Sequence, residues 1–207
     1  MSDGTIFSDY WGAKFNVTKW RRYHSERVAH YERLDRWVAF LSIFLGSAAI
    51  ANLAGWFNHL SGYQFVLAGL IAVMNAAKLV FEFSRNAQIH RDMHREMTAL
   101  CIEIYKNNTP SDDNIRSWEA SMIDINARMY KIFWAAEAHA YNQTVVEFYE
   151  NFAPPIKISG YKFKFRNLLT FSNDNFVADW SLADKHLRPT YPAPETSTAD
   201  APPRKAG

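Results

Sequence analysis

The sequence has little cysteine and lacks the residue patterns that mark common enzymes. Its single cysteine, Cys101, excludes an intrachain disulfide framework and fits a reducing compartment. The chain has no glycine-rich phosphate loop, GxSxG elbow, CxxC pair or HExxH motif, which mark phosphate-binding, hydrolase, redox and zinc sites. We therefore predict that the protein is not an enzyme and has no cofactor or bound metal.

The chain also lacks a strong net charge and an N-terminal signal peptide. A formal charge of +2 over 207 residues is too small to predict binding to a nucleic-acid duplex. The first thirty residues are polar and contain neither the apolar run nor the small-residue cleavage site of a signal peptide. We therefore expect any membrane insertion to use an internal segment.

A long stretch of the sequence has no charged side chain, since residues 37–77 contain no Asp, Glu, Lys or Arg. A helix of about 20 residues spans the hydrocarbon core of a bilayer, so this run is long enough for two passes. Residues 58–62 interrupt it with polar and turn-forming side chains. We predict an all-α membrane protein with a transmembrane hairpin over 37–83, whose spans are 37–57 and 63–83. The alternative, a buried hairpin of a soluble protein, is disfavoured because such helices usually carry a polar stripe.

Residues 1–36 are predicted to form a basic N-terminal helix that begins near residue 14. Its Lys and Arg residues outnumber Glu26, Glu32 and Asp35, and basic residues also follow the second span. The positive-inside rule then places both termini in the cytoplasm, with the hairpin in the cell inner (plasma) membrane. The helix either binds anionic lipid headgroups or, as we favour, is solvated and only fixes the topology.

Residues 84–153 are predicted to form a cytoplasmic antiparallel helical hairpin. Neither Pro nor Gly interrupts residues 78–106, and side chains recur there at intervals of three and four residues. Residues 107–113 supply a turn and a cap, and the next helix has the same period as far as Ile132 and Ala136. The two stripes pair in an oligomer or gating seam formed by His90, Met93, Met97, Leu100, Trp118 and Met122. His90 and His94 are four residues apart and could supply half a metal site, but without further ligands we assign them to the seam.

The C-terminal residues are predicted to form a small element over 154–188 and a disordered tail over 189–207. Helix is predicted to continue through residues 140–152, either bending along the membrane surface or packing on the N-terminal helix. Tyr161, Phe163 and Phe165 alternate with basic residues, a pattern that indicates a strand or a cationic and aromatic contact with the membrane. The tail is rich in Pro, Ala, Thr and Ser.

The organisation over residues 14–150 resembles the SLATT domain, a two-transmembrane effector domain of prokaryotic conflict systems. The resemblance is carried by residues 33–37 entering the first span, 78–85 leaving the second, and the helix over 87–100. It implies a homo-oligomeric membrane pore in antiviral defence, activated by a nucleotide second messenger or a nucleotide-synthase partner. Residues 154–207 are too few for a Rossmann-like sensor, so we expect the signal to reach the helical part or a separate protein.

Two functions therefore remain open, a gated pore or ion channel and a non-conducting membrane scaffold that recruits a cytoplasmic partner. Polar residues inside the spans favour the pore, because such groups are costly in the bilayer and usually functional. The predicted pore-lining residues are Asn75, Lys78, Glu82 and Asn52. Lys78 alternatively pairs with Glu82 and extends to the headgroups, in which case Ser42, Ser47 and Asn52 of the first span would line the path.

Overall fold

The computed structural model describes residues 10–53, 64–149, 156–172 and 176, and the regular structure in those ranges is helical, with no strands. The helices are α1 (Tyr10–Leu53), α2 (Gln64–Phe81), α3 (Phe83–Lys106), α4 (Asp112–Ala127), α5 (Trp134–Tyr149) and α6 (Gly160–Lys164). The predicted all-α fold is therefore confirmed for the described residues. The loop at 58–62 and the tail at 189–207 lie outside them.

The longest element is α1, a single helix of 44 residues. At 1.5 Å per residue it is about 66 Å long, so the N-terminal basic helix and residues 37–53 of the predicted first span are one continuous element. The first half of α1 is the centre of the fold rather than a solvated flank, since Phe15, Tyr23, His24 and Arg27 are buried. The prediction of a solvated helix was wrong because the residues that bury the first half of α1 are distant from it in sequence.

Helices α2 and α3 run antiparallel to α1. The Tyr10 hydroxyl donates to the Ile104 carbonyl at 3.3 Å, near the start of α1 and the end of α3. At the other end of the pair, Lys78 Nζ lies 3.2 Å from Asp35. The contacts therefore move toward the end of α1 as they move toward the start of α2 and α3. Of the helix pairs, α1 with α3 has the most extensive contact.

The predicted pairing of α3 with α4 is confirmed. Met97 and Leu100 of α3 lie in one buried cluster with Trp118 and Met122 of α4. Ala13 and Val17 of α1 complete the same cluster, so the seam joins three helices rather than two. Ser111 begins α4 with a capping box, in which Asn114 is the reciprocal partner.

Helix α4 ends at Ala127, earlier than its apolar period predicts. The backbone N–H of Phe133 donates to the Tyr23 hydroxyl at 3.2 Å, and α5 then begins at Trp134. A contact with α1 therefore stabilises the break, which a local pattern does not reveal. Of the two predicted courses for the following helix, the structure has the second, since α5 packs on α1.

The strand indicated by the alternation of residues 161–166 is not formed, because residues 160–164 are the short helix α6. Arg166 donates to Glu26 at 2.5 Å and the Asn167 carbonyl accepts from Arg27 at 2.7 Å. These bonds hold Arg166 and Asn167 against α1, and the helical turn of α6 directly precedes them. Tertiary contacts thus override the local period of two.

Candidate functional site

The site is the junction between a helical bundle and an apolar pair of helices. We define the bundle as residues 10–35 of α1 with α3, α4 and α5, and the apolar arm as residues 37–53 of α1 with α2. Along the helical run Phe65–Lys106, one apolar stretch is long enough to cross a membrane and none of it is buried. The exposed apolar side chains of the arm include Phe40, Ile43, Phe44, Ile50, Phe65, Leu70, Val73 and Leu79.

The predicted pore-lining residues of α2 are on the molecular surface. Asn75, Lys78 and Glu82 are exposed, and their spacing of three and four places them on neighbouring turns. The side chain of Asn52 lies outside the described part. Lys78 pairs with Asp35 of α1 at 3.2 Å, whereas Glu82 pairs with Arg85 at 2.8 Å. The alternative pairing of Lys78 with Glu82 is therefore not formed.

Glu82 separates α2 from α3 and has a left-handed backbone conformation, with φ 43° and ψ 47°. This conformation costs a non-glycine residue about 1–2 kcal/mol. Backbone hydrogen bonds continue on either side, because Glu82 donates to the Lys78 carbonyl and accepts from the Asn86 N–H. The Asn86 side-chain amide donates to the Phe81 carbonyl at 2.9 Å and so satisfies a group that the break would leave free. Glu82 is the joint between arm and bundle.

Two ion pairs flank this joint and connect α1 to the other helices. Lys78 pairs with Asp35 on the arm side, and Arg91 pairs with Glu32 at 2.5 Å on the bundle side. Asp35 and Glu32 are one turn apart on α1. The pairs therefore fix the position of the Glu82 joint relative to α1.

On the bundle side of the joint, the imidazole rings of His24 and His90 are in contact in the interior of the bundle. His24 Nδ1 lies 3.0 Å from His90 Nδ1, and His24 Nε2 lies 3.1 Å from the Asn126 amide oxygen. Because the amide oxygen only accepts, Nε2 of His24 carries the proton and its Nδ1 accepts from His90. Tyr31 stacks on the His90 ring, with centroids 5.8 Å apart.

Both imidazoles are held in the neutral form. Burial lowers the pKa of His24 to about 4, with His94 and Arg128 acting in the same direction. Burial also lowers the pKa of His90 to about 3, aided by His24 and Arg27. A proton on either ring would be unsolvated beside a second imidazole. The pair is a neutral hydrogen-bonded contact between α1 and α3.

Arg27 is a charged group in the interior of the bundle. Its side chain is fully buried and donates to Tyr31 at 2.5 Å and to the carbonyl and side-chain oxygens of Asn167. Its guanidinium carbon lies 3.7 Å from the centroid of the Phe133 ring. Arg27 thus joins α1, the turn before α5 and the C-terminal segment.

Sequence reasoning placed His90 in the seam but missed its partner. His24, Arg27 and Asn126 had no spacing in common that would bring them together. The only available signal was the position of Tyr23, Arg27 and Tyr31 at intervals of four, which marks one helix face. His94 does not join His90 in a ligand set. In the described ranges, no group of three or more His, Cys, Asp or Glu residues is placed to hold a metal.

No protein-family model, curated protein or solved structure matches this chain. The resemblance to the SLATT domain remains a prediction. Functional inference therefore rests on the arm, the joint and the bundle.

Proposed function

We propose that the protein is a membrane effector that homo-oligomerises into a pore or ion channel gated through the bundle. The observation that carries this proposal is the exposed apolar surface of α2 and of the second half of α1. Contiguous apolar surface on this scale is rare on monomers in water and marks a membrane or protein contact. Lipid and neighbouring copies together would cover it.

Polar groups on the arm support conduction over simple anchoring. Asn75 is exposed on α2, where a lipid-facing position would leave its amide without partners in hydrocarbon. Facing an oligomer axis, Asn75 would line the path, with Lys78 and Glu82 at its cytoplasmic mouth. The first span, over residues 37–57, and the topology with both termini in the cytoplasm belong to the same proposal.

The connection between bundle and arm supports gating. Helix α1 passes from one to the other without interruption, whereas the α2–α3 connection contains the left-handed residue Glu82. A change in the bundle would then move the second half of α1 as a rod while α2 turns at the joint. In a prokaryotic defence system, a nucleotide second messenger or a nucleotide-synthase partner would supply the signal.

Single-channel recording of the purified protein in planar bilayers tests this function. We expect discrete current steps, and a smaller unitary current for Asn75→Leu because an apolar ring raises the barrier to ions. Val73→Leu is the matched control, since Val73 is exposed on the opposite side of α2 and should leave the current unchanged. A protein that inserts in vesicles but gives no current would be a non-conducting scaffold. The neutralisation of Lys78 by Asp35 favours that second candidate.

A further inference from the structure

Residues 156–172 form a basic and aromatic segment on the bundle. They include Lys157, Lys162, Lys164 and Arg166 and contain no Asp or Glu. Large apolar side chains are exposed beside these cations, with Tyr161, Leu168 and Leu169 each more than half exposed. Lys157 and Lys164 are exposed, whereas Lys162 and Arg166 are half-buried. Cations interleaved with aromatic and aliphatic side chains are the composition that binds membrane interfaces.

The segment rises along the bundle toward the arm. Ile156 is hydrogen-bonded to Asn142, Phe163 contacts His139 with ring centroids 5.1 Å apart, and Asn167 reaches Arg27. Arg27 lies ten residues, or about 15 Å, before Trp37 on α1. The headgroup layer accounts for about 5–7 Å of that distance. Leu168 and Leu169 are one and two residues beyond Asn167 and extend at most about 3 and 7 Å from it, so their side chains approach the outer edge of the headgroup layer.

A second group of cations lies on the same side of α1. Arg33, Arg36, Trp37 and Phe40 line one open depression at the start of the arm. Arg33 and Arg166 both lie near His30, where they reinforce the effect of burial in lowering its pKa to about 4. The nearby acidic residues are already occupied, since Glu26 pairs with Arg166 and Glu32 with Arg91. The positive charge of this side is therefore left for an external anion.

We propose that Arg33, Arg36, Trp37 and residues 160–169 form a docking surface for anionic phospholipid headgroups. The occupant is the bilayer that the arm enters, so the inference rests on the proposed membrane location. Lys162 and Lys164 attract the lipid phosphates, while Leu168 and Leu169 contact the headgroup layer. The bilayer composition would then act on Arg27 and α1 through Asn167.

The test measures the depth of residue 168 in the intact chain. A nitroxide is attached to Leu168→Cys in a Cys101→Ala background, and the protein is reconstituted in nanodiscs of phosphatidylcholine with or without phosphatidylglycerol. We expect lower accessibility to a water-soluble relaxing agent in the anionic discs. Lys162→Gln/Lys164→Gln should weaken docking about 30-fold and remove the difference. Lys106→Gln/Arg116→Gln removes the same charge at the opposite end of the bundle and should preserve it.

A second nitroxide at Val73→Cys on α2 reports insertion independently. Water accessibility at residue 168 that is equal and high in both lipids, with residue 73 in hydrocarbon, would overturn the docking surface alone. Equal protection of residue 168 in both lipids would assign the surface to a protein contact and would also overturn it. Water accessibility at residue 73 would overturn the membrane location and the docking surface together.

Discussion

His24 on α1 and His90 on α3 are hydrogen-bonded to each other through their Nδ1 atoms, 3.0 Å apart, in the interior of the bundle. The first half of α1 is therefore joined to α3 by a contact between two neutral rings. The same α1 continues into the apolar arm. A change in the hydrogen bond between His24 and His90 would therefore affect the position of α1 as a whole.

Stability should fall on acidification because of this pair. The pKa values of His24 and His90 are about 4 and 3 in the folded chain, against 6.5 for an unperturbed histidine. The unfolded chain therefore binds more protons below pH 6.5, and each histidine should remove about 2 kcal/mol of stability between pH 7 and pH 5. Thermal unfolding in detergent at both pH values measures this loss. His24→Gln/His90→Gln should lose less stability, and an identical loss in the variant would contradict the assignment.

The α3–α4 seam should depend on Trp118. Its ring is buried with Met97 and Leu100, and its Nε1 donates to Glu103 at 2.7 Å. Trp118→Ala should therefore cost about 3–5 kcal/mol in the free energy of unfolding. Denaturant unfolding of the purified protein provides the value. Ile123→Ala on the exposed side of α4 is the control and should change stability by less than about 0.5 kcal/mol. Equal effects of the two substitutions would exclude the paired seam.

The sequence predicts the parts of this fold that depend on local patterns. Seam residues such as Met97, Trp118 and Met122 repeat at helical intervals, and the turn before α4 carries its own cap. These signals require no knowledge of distant residues. The apolar character of α2 is likewise local, so its capacity to span a membrane can be predicted without the structure.

Contacts between distant residues account for the errors. Arg27 and His24 are polar residues of the kind found on solvated helices. Only the folded chain brings Asn167 and Phe133 to Arg27, and His90 to His24. The break after Ala127 and the helix at 160–164 similarly depend on Tyr23 and Glu26 of α1. The left-handed Glu82 is unexpected because neither Gly nor Asn occupies that position.

The Asp35–Lys78 pair gives opposite predictions for two substitutions at the proposed pore mouth. Lys78→Glu should shift the selectivity of single channels toward cations, because it replaces a ring of positive charge with negative charge. Asp35→Asn should shift selectivity toward anions, since it removes the partner of Lys78. Reversal potentials in asymmetric salt measure both shifts. Glu119→Gln on α4 is the control, and selectivity unaltered in all three variants would move the pore face to the first span.

The joint at Glu82 should respond to backbone freedom more than to loss of charge. Glu82→Gly should raise stability by about 1 kcal/mol, because glycine adopts positive φ without steric cost. Glu82→Ile also removes the exposed Arg85 ion pair but should lower stability, since a β-branched side chain disfavours that conformation. Thermal unfolding by circular dichroism compares the two variants. Equal stability of Gly and Ile at residue 82 would be inconsistent with a left-handed joint.

The most direct test of the proposed oligomeric pore is electron microscopy of the full chain in lipid nanodiscs. The account predicts closed rotational symmetry, with Asn75 and Lys78 of each copy facing a central axis through the bilayer and the bundles on one side of it. Particles that contain a single copy in the bilayer, with Asn75 facing lipid, would contradict the pore.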